Sequence, residues 1–122
     1  MSGPSARSEP ATIAVDDLPE QTSGPGAPVY LDVREVDEFA AGHVPGAVNV
    51  PLGDLPERVS ELPDAPIHTL CRTGGRATKA ARWLVDHGHD AVVVQGGSIA
   101  WAEAGRPLVA EGDQPDGGPF VR

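Results

Sequence analysis

The sequence predicts a single α/β domain layered on a mainly parallel sheet. Two patterns carry this: short β-branched apolar runs bounded by turn residues recur along the chain, and stretches with helical spacing of apolar residues lie between them. Length is the third observation. The chain has 122 residues, enough for one domain that buries about two-thirds of its surface without disulfide staples.

IAV at 13–15 reads as the first strand, and DDLPE at 16–20 as a short helix opened by capping aspartates. VYLDV at 29–33 is the second strand. EVDEFAAG at 35–42 follows as a helix with Val36, Phe39 and Ala40 on one face and Gly42 at its end. AVNV at 47–50 is the third strand, and GDLPERVSEL at 53–62 repeats Leu55, Val59 and Leu62 at helical spacing. PIHTL at 66–70 is the fourth. The clearest helix is RATKAARWLVDHG at 76–88, where Ala77, Ala80, Ala81, Leu84 and Val85 share a face and Gly88 ends the run. AVVV at 91–94 is the last strand, and SIAWAEAG at 98–105 the last helix, with Ser98 as N-cap and Gly105 as stop. Residues 1–11 and 110–122 have no period and read as flexible tails, which leaves 12–109 as the folded unit. Fifteen glycines and thirteen prolines fall just below the share, roughly 25%, at which disorder becomes the default, so loops and tails are expected.

Nine Lys and Arg against eighteen Asp and Glu give a net charge of -9, which argues against nucleic acid or an anionic membrane surface as partner. No apolar run approaches the roughly 20 residues of a membrane span, and MSGPSARSEP lacks the apolar core of a signal peptide. The expectation is a soluble cytoplasmic protein. The one cysteine, Cys71, cannot form an internal disulfide, whereas a small secreted chain more often carries an even set. It is either core filler or the chemistry.

The surroundings of Cys71 favour chemistry. In open α/β sheets ligands collect at the carboxyl ends of strands. Cys71 follows the fourth strand directly, and the loop Arg72, Thr73, Gly74, Gly75 leads into the helix that starts at Arg76. Paired glycines permit a tight turn whose N–H groups form an anion-binding nest. The helix N-terminus adds partial positive charge, and Arg72 and Arg76 add two cations. Such a setting favours thiolate over thiol and makes the sulfur nucleophilic. No Asp or Glu occurs from 65 to 85, while Arg72, Arg76, Lys79 and Arg82 do, so the loop and its helix read as a basic island.

Three segments, VYLDVREVDEFAAGHVPGAVNVPL at 29–52, CRTGGRA at 71–77 and QGGSIAWAEAGRPL at 95–108, resemble the ordered signatures of the single-domain rhodanese family of sulfurtransferases. The resemblance covers residues 12–109. It implies a five-stranded, mainly parallel sheet with helices on both faces. It further implies that Cys71 is the catalytic nucleophile and carries sulfur as a persulfide, with Arg72, Thr73, Gly74, Gly75 and Arg76 wrapping it and Arg76 closing the cradle. Asp32 and Arg34, at the end of the second strand, are implied as a charge pair supporting the loop, and His43 as a turn-fixing hydrogen-bonder. No cofactor is implied. The partners implied are a small anionic sulfur donor such as thiosulfate and a thiol, cyanide or protein acceptor.

Cysteine phosphatases, including those on the same fold, place five residues between Cys and Arg, whereas four lie between Cys71 and Arg76. The shorter loop suits a sulfur atom and crowds a phosphoryl group, so phosphatase activity is the weaker enzyme reading. The same residues are also compatible with a protein-to-protein sulfur relay and with a non-catalytic regulatory module. The spacings His68 with Cys71 and His87 with His89 mimic metal pairs, but the further ligands a metal needs are lacking, and no metal is expected. Gly96 and Gly97 lack the Gly-Lys-Ser/Thr of a phosphate loop, and the resemblance implies a tight strand-to-helix turn there. Trp83 and Trp101 read as core.

Overall fold

Register pairs define the sheet. Its strands are β1 (Thr12–Ile13), β2 (Val29–Asp32), β3 (Val48–Asn49), β4 (Ile67–Leu70) and β5 (Ala91–Val94), in the spatial order β1-β5-β4-β2-β3. Every pairing is parallel. The computed structural model describes residues 10–18 and 27–110. Of the expected tails, 1–9 and 111–122 lie outside the described residues, as do 19–20 of the first expected helix.

Parallel neighbours require crossovers, and these put helical segments against both faces of the sheet. Because side chains alternate along a strand, β2 sends Val29 and Leu31 one way and Tyr30 the other. On the first face Ile67, Ala91 and Val93 join them beneath α3 (Gly75–Asp86), which buries Ala77, Ala80, Ala81 and Leu84. Leu55, from the single turn α2 (Leu55–Arg58), closes that side. On the second face Tyr30, Leu70 and Val94 pack with Val15, Leu18, Val44 and Trp101. Trp101 comes from α4 (Gly97–Glu103). Its Nε1 donates to Pro107 O at 2.7 Å, the Arg106 guanidinium lies 4.8 Å from its ring centroid, and Tyr30 meets it edge-on at 6.3 Å. Trp83 is half-buried and stacks on His87.

The structure corrects the expected elements in several places; in α4, for one, the N-cap is Gly96 and Ser98 lies inside the helix. β1 stops at Ile13, because its partner β5 ends at Val94, the residue that pairs with it. Val15–Asp17 then forms a 3-10 turn with Ala14 at its cap, so the aspartates cap nothing. The expected helix at 53–62 breaks into 3-10 turns at Leu52–Asp54 and Val59–Glu61 flanking α2, since Pro56 cannot supply the N–H that a continuous helix needs. The spacing survives: Leu55 is buried, and Val59 and Leu62 pack against the core. In α1 (Val36–Ala41) Val36 faces solvent at 63% exposure. The inward work of that helix falls to Glu38 and Phe39, described below.

Among the described residues no helix is long and apolar enough to cross a membrane. Leu84 is wholly buried between α3 and the sheet. Truncation by Leu84→Ala is expected to cost about 2–5 kcal/mol of unfolding free energy, read from the midpoint of urea denaturation at unchanged slope.

Candidate active site

The alternation that builds the sheet also aims the cysteine. Ile67 and Thr69 point to the α3 side of β4, and Cys71, two residues on, continues that row beneath the start of α3. Cys71 is 1% exposed. Its Sγ accepts the N–H of Gly74 at 3.0 Å and that of Ala77 at 3.4 Å. The N–H groups of Gly75, Arg76 and Ala77 open α3 and have no acceptor within the helix. The sulfur therefore sits where peptide dipoles converge, and negative charge on it is stabilised by hydrogen bonds as well as by the helix end.

Of the paired glycines one supplies the turn. Gly74 has φ +137°, in the region that favours glycine, whereas Gly75 does not have a positive φ and begins the helix. The turn is locked by Thr78, whose N–H and Oγ1 both bond Gly74 O, at 2.9 and 2.7 Å. Thr69 Oγ1 donates to Ala77 O at 3.0 Å and fixes the first turn of α3 over β4. Arg72, Thr73 and Gly75 are exposed on the outer rim of the loop.

The other wall is α4. The N–H of Ser98 donates to Cys71 O at 2.9 Å and that of Ile99 to Arg72 O at 3.1 Å. Gly97, at φ +59°, lies directly on this backbone: a Cβ there would overlap Cys71 O and stand 2.7 Å from Arg72 O. The glycine pair at 96–97 thus does more than turn the chain. It lets the loop rest on the helix.

Arg76 departs from the expected picture of a basic island. Acid is absent from its own segment but arrives from α1: Nη1 and Nη2 meet Glu38 Oε1 and Oε2 at 2.7 and 3.1 Å. Glu38 Oε1 also accepts the N–H of Glu35 at 2.9 Å, closing a capping box at the start of α1. The Arg76 hydrogen bond, with the Glu35 N–H, holds the Glu38 carboxyl down at about 2. The same partner raises Arg76.

The three residues expected to support the loop all tie down the approach to α1. Arg34 is bidentate to Asp32, with Nη2 to Oδ2 at 2.8 Å and Nε to Oδ1 at 3.0 Å, and its Nη2 reaches Gly42 O at 2.7 Å. Asn49 Nδ2 donates to the carbonyls of Asp32 and Arg34. His43 stacks on Phe39 at 3.7 Å, with Nδ1 2.8 Å from Phe39 O, and its backbone forms a two-bond bridge with Val109. Glu38, Thr69, Asn49 and the contact of the Ser98 and Ile99 N–H groups with the loop were not singled out by the sequence. Glu35 and Glu38 at capping-box spacing were the available signal, obscured because glutamate is an uncommon N-cap.

Two surface grooves, one lined by Asp16, Pro45, Trp101 and Arg106 among others and one by Val59, Leu62, Pro63 and His89 among others, include no residue of the 71–76 loop. Among the described residues no three His, Cys, Asp or Glu side chains are grouped to hold a metal ion. At the site two peptide N–H groups bond one buried sulfur.

Comparison with known proteins finds relatives of the chain and of its fold. A family model described as a rhodanese-like domain matches residues 15–104. A sulfurtransferase of Allochromatium vinosum is 39% identical over 84 residues, covering 67% of this chain and 78% of that protein. A rhodanese-related protein of Thermoplasma volcanium superposes with a TM-score of 0.74 at 33% identity, over 83% of this chain and 99% of the other. A rhodanese-like domain protein of Staphylococcus aureus superposes at 0.72 with 28% identity, over 83% and 98%.

Two outcomes are expected. Gly97→Ala should lower stability by roughly 1–3 kcal/mol in chemical denaturation, through its left-handed φ and the overlap with the loop. The Glu38–Arg76 pair stabilises the fold fully above the unfolded carboxyl value near 4.5, and that contribution is lost as pH falls toward about 2. Both side chains are 35% exposed, so the difference between wild type and Glu38→Gln should be under about 1 kcal/mol at pH 6 and should vanish in unfolding curves taken near pH 2.

Proposed function

The chain belongs to the rhodanese-like domain family, and from that premise we propose that residues 12–109 act as a sulfurtransferase in which Cys71 carries sulfane sulfur. The observation that carries this reading is the donation of two backbone N–H groups to Cys71 Sγ at the start of α3. A ring of N–H donors stabilises a thiolate before transfer and a persulfide anion after it.

With thiosulfate as donor, the Cys71 thiolate attacks the outer sulfur. The S–S bond of the donor breaks, its electron pair leaves with sulfite, and Cys71 becomes a persulfide anion; one negative charge remains on the enzyme and two leave on sulfite. In the second half-reaction an acceptor nucleophile attacks the terminal sulfur and the thiolate returns. Cyanide gives thiocyanate; a thiolate gives a new persulfide. Gly74, Gly75 and Ala77 offer N–H groups to the transferred sulfur, Thr73 and Arg72 form the exposed rim, and Arg76 sits at the wall. Asp32, Arg34 and His43 act through the backbone they hold and are positioning residues. The chain has no second cysteine to resolve the persulfide as a disulfide, so the acceptor comes from outside. A reducing compartment such as the cytoplasm suits a lone cysteine that has to stay reduced.

Incubation with thiosulfate should add the mass of one sulfur atom to the intact protein, and cyanide should remove it as thiocyanate. Cys71→Ser should gain nothing. Absence of the added mass from wild type, or its presence on Cys71→Ser, would overturn the assignment. Under the same conditions hydrolysis of an aryl phosphate should be undetectable.

A further inference from the structure

Of the arginines near the site, Arg34 and Arg76 are each matched by a carboxylate, whereas Arg72 is exposed on the outer rim of the loop. Arg34 is bidentate to Asp32, and Arg76 is bidentate to Glu38. Glu38 cannot easily swing aside, because its Oε1 also holds the Glu35 N–H at the start of α1. That helix is pinned at its other end by Arg34 on Gly42 O and by His43 on Phe39 and Val109. The side-chain charge at Arg76 is therefore already balanced. Besides Arg72 on the outer rim, what remains to attract an anion beside Cys71 is the row of peptide N–H groups, whose partial charge suits one negative charge better than several.

The two chemical classes of sulfur donor differ in this respect. Thiosulfate brings two negative charges to the thiolate, so three negative charges share the transition state. A neutral alkyl hydropersulfide, RSSH, brings none: the thiolate attacks the outer sulfur, the S–S bond breaks, RS⁻ leaves with the electron pair and takes up the hydropersulfide proton. The products are RSH and the Cys71 persulfide anion, with one negative charge throughout. We propose that Glu38, by occupying both terminal nitrogens of Arg76, sets donor choice in this chain, favouring hydropersulfides over thiosulfate. This rests on the sulfurtransferase reading above. Glu38 is a specificity determinant that acts through Arg76 and touches no reacting atom.

The test compares single-turnover loading of Cys71, followed by intact mass, from thiosulfate and from a small alkyl hydropersulfide generated in place. Glu38→Gln keeps a capping side chain at the same position of α1 while removing its charge. It should raise the thiosulfate rate relative to the hydropersulfide rate by about tenfold, as expected for freeing one partly exposed cation. Glu38→Asp, which retains the charge, should keep the wild-type ratio. The ratio is the informative quantity, because any change in the nucleophilicity of Cys71 or in folding affects both donors alike. Arg76→Gln provides the opposite arm: it leaves the Glu38 charge uncompensated and should depress thiosulfate loading about tenfold more than hydropersulfide loading. Equal effects on both donors, in either charge-changing variant, would overturn the role of Glu38 and leave sulfur transfer standing. Failure of wild type to load from either donor would instead remove the sulfurtransferase reading, and the proposal with it.

Discussion

The site depends on two backbone hydrogen bonds, from the N–H groups of Ser98 and Ile99 to the carbonyls of Cys71 and Arg72. A trans peptide points its C=O and its N–H in opposite directions, and the described chain has no cis bond. Turning those carbonyls onto α4 therefore turns the N–H groups of Arg72 and Thr73 away from it. The orientation of the loop that follows Cys71 is fixed by what lies behind it. Only a residue without a side chain lets α4 approach so closely, and Gly97 is that residue.

Much of this was legible in the sequence because it is local. The strand ending at Leu70, the cysteine after it, the turn at Gly74 and the apolar face of α3 fall within 20 consecutive residues, and each obeys a spacing rule. The helix at 76–88 is displaced by one residue at its start and two at its end. The family resemblance extended the reading to the strand count and to both helical faces. Short segments fared worse. β1 had two residues in which to show a pattern, and a proline inside 53–62 outweighed a correct apolar spacing.

What escaped the sequence is contact between distant segments. Glu38 and Arg76 stand 38 positions apart, and nothing in either neighbourhood announces the other. The absence of acid between 65 and 85 was a true statement about sequence that gave a false picture of charge, because the sheet order sets β2 beside β4 and carries α1 to the loop. Val36 illustrates the same limit from the other side. Its spacing with Phe39 and Ala40 suggested a buried face, yet Phe39 turns to His43, Glu38 turns to Arg76, and Val36 is left in water.

Trp101 gives this arrangement an optical handle. It lies three residues beyond Ser98 on the short helix that steadies the loop, shielded from solvent, with a guanidinium over its ring and its indole N–H committed to Pro107. Trp83 is partly open to water and stacked on an imidazole. The two indoles thus emit from unlike surroundings. The bluer share of the fluorescence is expected from the buried Trp101, so light from the protein itself should report how firmly the helix behind the sulfur is seated.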